Sequence, residues 1–286
     1  MLRSILPCIS ALSLVIFCGC ENNAAYMTPE RLAAGLVVIL PGIEGESGAN
    51  HDIRDGLVNS GIDSSLQIWH WGRPVPGIGM LLNQMDFLGN HLEGGKIAQR
   101  IVKYQDEHPD RPVHIIGHSG GGGIAVFAAA QMPKDRQITG LVLLSASIAG
   151  NYDISRALKN CSSGIVNFYN KDDGALLGLG TTVFGNVGGS RAGSAGLYGF
   201  TIPDSSDAST RLAYKKLYQV SMTGSMTSGA IAHFAATQPY FISRYVAPWI
   251  KDSNWPADPS IITQQARDAG FDVLVLENRQ LRYVKN

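Results

Sequence analysis

Ser119 lies in the run Gly117-His118-Ser119-Gly120-Gly121, a Gly-x-Ser-x-Gly pattern in which glycines flank a single hydroxyl. A serine hydroxyl is almost never ionised at neutral pH, so chemistry at this residue calls for a base to take its proton and an acceptor to orient that base. With 33 glycines among 286 residues the five letters are weak by themselves, and the surroundings decide. The preceding "PVHII" reads as a buried strand and the following "GGGIAVFAAAQM" as an Ala-rich helix, so the run predicts a sharp strand-to-helix turn that lifts the serine oxygen above a sheet. A serine strained in that way leaves no space for a Cβ on its neighbours, which gives the glycines a steric reason.

Other uses of the glycines fit less well. "GIEGESG", residues 42 to 48, would cradle a phosphate only with the lysine that it lacks, and Glu44 and Glu46 would repel one. "GGGGIA" from Gly120 would bind a dinucleotide only with a carboxylate closing the next strand, which ends instead in "LLSAS". A serine capping a helix behind a glycine turn is the plain structural alternative.

The elements that must position Ser119 follow from periodicity. The runs "GLVVIL", "SLQIWHW", "PVHIIGH", "ITGLVLLSAS", "GIVNFYN" and "LYQVSM" read as strands. Between them "HDIRDGLVNSG", "HLEGGKIAQRIVKYQDEH", "GGGIAVFAAAQM" and "YDISRALKN" read as helices, followed by "PYFISRYVAPWIKD". Near-continuous apolar strands alternating with helices predict an α/β fold with a mostly parallel central sheet and helices on both faces. Residues 174 to 210, crowded with Gly, Ser and Ala, break this rhythm and read as a lid or a loose surface loop; Leu176, Leu177, Leu179 and Phe184 would meet acyl chains in a lid. After Trp255 a helix, "SIITQQARDAG", and a last strand, "FDVLVLEN", are expected.

The 23 basic and 23 acidic side chains cancel, and no Lys/Arg run supplies a local field, which excludes nucleic acid as a partner. Residues 35 to 286 suffice for one domain with a substantial core. At the N-terminus, Arg3 followed by "ILPCISALSLVIF" reads as an export signal over residues 1 to 20, with 21 to 34 as a tether. Its end, Phe17-Cys18-Gly19-Cys20, is similar to the bacterial lipobox, which implies a lipid on Cys20 and a membrane-held exported protein; plain secretion is the alternative. Beyond Cys20 only Cys161 remains, so disulfides do not hold the domain together.

On the strand-Gly117-His118-Ser119-Gly120-Gly121-helix unit, the chain from about Gly35 to Ile250 resembles the α/β-hydrolase superfamily. The resemblance implies a Ser-acid-His order. Six of the seven histidines precede Ser119, leaving His233, in "SGAIAHFAATQPYF", as the implied base. The implied acid follows "GIVNFYN": Asp173 is preferred, on a frame that Asn170 shares, with Asp172 next and Asp153 third. The oxyanion donors would be the N–H of Gly120 and, after "LPG", that of Ile43 or its neighbour Glu44; Pro-Gly stands there in place of the family's common His-Gly. The implied activity is lipase- or esterase-like cleavage of a small-molecule or lipid ester through an acyl-enzyme, with no cofactor and no metal. An acyltransferase on the same residues and a non-catalytic binding module are the alternatives. His51, Asp52 and Asp55 read as a helix start rather than metal ligands, and Trp69, His70 and Trp71 as pocket wall or core.

Overall fold

The computed structural model describes residues 23–72, 86–173, 193–204, 206–222, 226, 232–255, 273–277 and 280–284. The six expected strands form, as β1 (Leu36–Leu40), β2 (Ser65–Ile68), β3 (Val113–His118), β4 (Ile138–Leu144), β5 (Cys161–Tyr169) and β6 (Leu217–Ser221). They lie in the order β2-β1-β3-β4-β5-β6, every neighbouring pair parallel. The last expected strand is β7 (Val273–Glu277), but it does not join β6 directly. An additional strand, β8 (Gln280–Val284), inserts between them, parallel to β6 and antiparallel to β7. The expected helix over residues 260 to 270 lies outside the described residues.

Alternation along the strands sends side chains to two separate cores. Val38, Leu40, Val113, Ile115, Leu141 and Leu143 pack beneath one face with helices described below, and Val37, Ile39, Ile116, Val142, Leu144 and Phe168 beneath the other. A sheet buried on both faces explains why its strands read as unbroken apolar runs. The first face is covered by α3 (Phe87–Glu107), α4 (Gly120–Ala130) and α5 (Ser155–Lys159). The second is covered by α2 (Gly48–Asn59) and a helical run made of Pro239–Phe241, a π-helical stretch Ile242–Val246 and Ala247–Lys251. This is an α/β fold with a mostly parallel central sheet covered by helices on both faces.

Helices α2 and α3 begin earlier than the periodicity predicts because polar caps, not apolar spacing, set their ends. Ser47 N–H donates to Asn50 Oδ1 at 2.9 Å at the start of α2, three residues before His51. Asp86 caps α3 by accepting from the Gly89 N–H at 2.9 Å.

Residues 23 to 34, expected as a tether, are docked on the sheet. A short 3-10 turn (Asn23–Tyr26) and α1 (Pro29–Ala34) lie along the β2 edge. Asn23 brackets Ile68, its Nδ2 donating to the Ile68 carbonyl at 3.0 Å and its Oδ1 accepting from the Ile68 N–H at 3.1 Å. One side-chain amide thus satisfies the backbone of an edge strand. Arg31 donates to the carbonyls of Ile62 and Ser64, Tyr104 donates to Leu32, and the Tyr26 ring lies 3.9 Å from the Arg54 guanidinium.

Candidate active site

The strand-to-helix turn at Ser119 is built as its glycines imply. Ser119 sits at φ 52°, ψ −121°, a region that costs a non-glycine residue about 1–3 kcal/mol and persists only where neighbours over-determine it. Ser119 N–H donates to the Leu144 carbonyl at 3.0 Å, and the Ser119 carbonyl accepts from Ser147 N–H at 2.8 Å, so the end of β4 and the loop after it hold the turn from both sides. A Cβ on Gly117 would stand 2.6 Å from the Gly121 carbonyl oxygen, and one on Gly121 would collide with the carbonyl oxygens of Leu40 and Pro41. The glycines therefore let the serine turn press against the end of β1.

The three candidate acids differ in their surroundings. Asp173, in a turn closed by its N–H on the Asn170 carbonyl, is 2% exposed, and its Oδ2 accepts from His233 Nδ1 at 2.7 Å. A carboxylate there requires the proton on Nδ1, leaving Nε2 as the free base position. Asp172 is exposed, and Asp153 accepts from the Ser155 N–H at 2.9 Å, where it starts α5. Both are turn residues.

His233 belongs to a 3-10 stretch, Ala232–Thr237, after β6. It lies against the residue preceding Ser119: the His118 and His233 ring centroids are 4.9 Å apart, and His118 Nε2 donates to the His233 carbonyl at 3.1 Å. The hydrogen bonds of the described residues do not include one between Ser119 and His233; in unliganded sites such bonds are often open and tighten with substrate. Ser119 and His233 are both about nine-tenths buried, each 7% exposed.

The expected oxyanion donors converge from two elements. Gly120 occupies the first position of α4, where a backbone N–H has no intrahelical acceptor. A Cβ built on Gly120 would lie 3.3 Å from Ile43 N and 3.4 Å from the Trp71 ring, so the loop after β1 and the chain after β2 meet at this point. Trp71 is buried and fixed by its indole N–H on the Pro41 carbonyl at 2.8 Å. Of the other two aromatic residues, Trp69 reaches away to Glu93 at 3.0 Å, and His70 is exposed and paired with Glu46 at 2.9 Å.

The side chain of Glu44 is a feature that sequence reasoning missed. It folds back so that a Cβ on Gly42 would collide with its carboxyl group, and burial raises its pKa above the ordinary carboxylate range. The signal was present as a carboxylate two residues beyond Gly42 in "PGIEG", but only the Cβ-less Gly42 shows where that carboxylate goes.

Cys20 and residues 174–192 lie outside the described residues. Within the described remainder of the Gly-rich segment, Ala195, Gly196 and Leu197 are buried and Gly196 N–H donates to the Ala146 carbonyl at 2.9 Å, whereas most of residues 201–210 are exposed. Burial pushes the Cys161 thiol up to about 12, which removes it as a nucleophile at neutral pH. His51 of α2 pairs at 2.8 Å with Glu46, which precedes that helix, and among the described residues no group of His, Cys, Asp and Glu is arranged to hold a metal.

One α/β fold thus carries a sheet covered on both faces, a strained serine after β3 and an acid–histidine pair on later loops. No family model matches the chain. Part of it is 28% identical over 107 residues to a monoglyceride lipase of Mus musculus, a match covering 33% of this chain and 35% of that enzyme. It is 31% identical over 108 residues to the human monoglyceride lipase, covering 33% and 35%, and 33% identical over 72 residues to that of Rattus norvegicus, covering 25% and 23%. The chain thus spans about a third or less of the length of the curated relatives it matches. Among solved structures it aligns with a poly(3-hydroxybutyrate) depolymerase from Bordetella parapertussis, at TM-score 0.43 and 16% identity over 83% of this chain and 85% of that one. It also aligns with the NocB thioesterase domain of the Nocardicin cluster, at TM-score 0.35 and 14% identity over 76% and 92%.

Proposed function

We propose that this protein is a serine hydrolase that cleaves a carboxylic ester through an acyl-enzyme. The observation that carries the reading is the buried Asp173–His233 hydrogen bond of 2.7 Å on a loop that packs against the strained Ser119 turn. Ser119 Oγ attacks the ester carbonyl carbon while His233 Nε2 takes its proton, and Asp173 keeps Nδ1 protonated and favours the imidazolium as it forms. The oxyanion accepts from the N–H groups of Gly120 and Ile43; losing such a donor typically costs roughly 10²- to 10³-fold. The imidazolium then protonates the leaving alcohol, and water, deprotonated by the same nitrogen, releases the acid and restores Ser119.

The partial likeness to monoglyceride lipases supports a lipid ester as substrate. Export and acylation of Cys20 belong to the same reading. Asn23 is clamped to Ile68 at the C-terminal end of β2, and Ser119 follows the C-terminal end of the parallel strand β3, so the first described residue lies at the same end of the sheet as the candidate nucleophile.

Wild-type protein should be labelled by a fluorophosphonate probe and should hydrolyse monoacylglycerols and p-nitrophenyl esters, with a rate that depends on acyl length. Ser119→Ala should abolish both. Folded wild-type protein that is neither labelled nor active on any ester would overturn the assignment.

A further inference from the structure

The loop that offers the Ile43 N–H also carries a carboxyl group that ester hydrolysis does not use. Glu44 Oε1 is buried and makes no hydrogen bond among the described residues. The same holds for His118 Nδ1, which faces it at 3.9 Å from a ring that is fully buried. The other ring nitrogen, Nε2, is 3.1 Å from the His233 carbonyl. A carbonyl only accepts, so Nε2 carries the proton and Nδ1 turns a lone pair toward Glu44.

Two buried polar atoms facing each other without partners are costly, and the cost falls if one of them donates. An ion pair would need a cationic His118, whereas burial first, and then the nearby His233, pull its pKa down to about 3. Burial also disfavours the Glu44 carboxylate, and it outweighs the backbone N–H groups of Glu44 and Gly42 and the nearby His233, which favour it. The proton that joins the two therefore belongs on the carboxyl group. From 3.9 Å, a shift of about 1 Å in a carboxyl group on rotatable bonds completes the hydrogen bond.

We propose that protonated Glu44 donates to His118 Nδ1, completing a chain Glu44–His118–His233 carbonyl that ties the oxyanion loop to the loop bearing the base. Glu44 is thus a positioning residue for His233. The titratable groups facing it among the described residues are His118 from the end of β3 and His233 from the 3-10 stretch. Asp173 is directed to His233 Nδ1, and Glu46, on the same loop, is taken up by His51 of α2 and His70 beyond β2. When Glu44 ionises, carboxylate and Nδ1 lone pair repel, and the ring proton moves to Nδ1. Nε2 then presents its lone pair to the His233 carbonyl, and the tie is lost.

The rate arm of the test rests on the hydrolase reading; the spectroscopic arm does not. In ¹⁵N-histidine spectra of the full folded chain, His118 should show the Nε2–H tautomer with a hydrogen-bonded Nδ1. It should move toward Nδ1–H as pH rises above the ordinary carboxylate range. Glu44→Gln, whose amide donates at every pH, should hold the Nε2–H tautomer throughout, and Glu44→Leu should lose the hydrogen-bonded signature at every pH. On a soluble ester, wild type should lose kcat at least fivefold on the alkaline side where Glu44→Gln does not, and Glu44→Leu should lower kcat with little change in KM. His118 signals that titrate identically in wild type and Glu44→Gln, or that show Nδ1–H from the start, would overturn the proposal even if Ser119 labels normally. The expected spectra without any esterase activity would instead overturn the hydrolase reading and leave the proton chain standing.

Discussion

At the scale of single residues, Asp172 and Asp173 are chain neighbours of one type with opposite surroundings. Asp173 is buried on His233 Nδ1, while Asp172 faces solvent with its N–H on Asn170 Oδ1 at 3.0 Å. Asp173→Asn should keep the turn but present the wrong partner to the imidazole, lowering kcat by roughly 10⁴-fold. Asp172→Asn should change it by less than about threefold, since a solvated turn charge contributes little. Steady-state kinetics on one soluble ester checks both, and equal losses would move the acid elsewhere. The grouping of Ser119, Asp173 and His233 was proposed in the sequence through the Ser-acid-His order that the α/β-hydrolase resemblance implies, which leaves one histidine after Ser119, and the Asp173–His233 hydrogen bond is consistent with it. The Glu44 carboxyl was not legible, because its role depends on a side chain folding back over Gly42, a contact that no spacing encodes.

At the scale of elements, the serine turn works only if β1, β3 and α4 approach without side chains between them. Gly121→Ala would drive a methyl group into the Leu40 and Pro41 carbonyls, and should both destabilise the protein by about 1–3 kcal/mol and displace the Ile43 N–H. Urea unfolding and probe-labelling rates read the two effects separately. The strand β3 carries a second testable load. Burial pulls His114 down to about 4, and its Nε2 has no partner among the described residues. The unfolded chain takes up this proton near the ordinary histidine value while the folded chain resists it, so stability is lost as pH falls from about 6.5 to 4, by up to about 3 kcal/mol for such a shift. His114→Gln should flatten the slope of unfolding free energy against pH in that window, a reading that holds even if the variant is less stable throughout. Strands were legible because burial on both faces demands continuous apolar runs. Strand β8 was not, since "QLRYV" has no such run and is placed by pairing with β6 and β7.

At the scale of the whole molecule, the segment read as a tether matters most for how the protein meets its substrate. A free linker of residues 21 to 34 would let the domain tumble above a membrane, but Asn23 is held by two hydrogen bonds to Ile68, and the chain runs from there through Trp69 and His70 to Trp71 beside Gly120. The docking was hidden from sequence because it depends on one amide imitating a strand partner. If Cys20 is acylated, only Glu21 and Asn22 lie between the lipid-bearing residue and that clamp, a reach of at most about 10 Å, and the end of the sheet bearing Ser119 should be held near the bilayer. The acylated protein on vesicles should then hydrolyse a vesicle-embedded monoacylglycerol at least tenfold faster than the soluble Cys20→Ala form at equal concentration, because tethering raises the effective concentration and fixes orientation. Both forms should act equally on p-nitrophenyl acetate in solution. A long Gly/Ser insertion between residues 22 and 23 separates the two contributions. It preserves attachment but releases orientation, so the part of the advantage that it removes belongs to the Asn23 clamp. An insertion variant as fast as the directly clamped protein would show that attachment alone accounts for the gain, and equal rates for the acylated and Cys20→Ala forms would remove the membrane from the mechanism altogether.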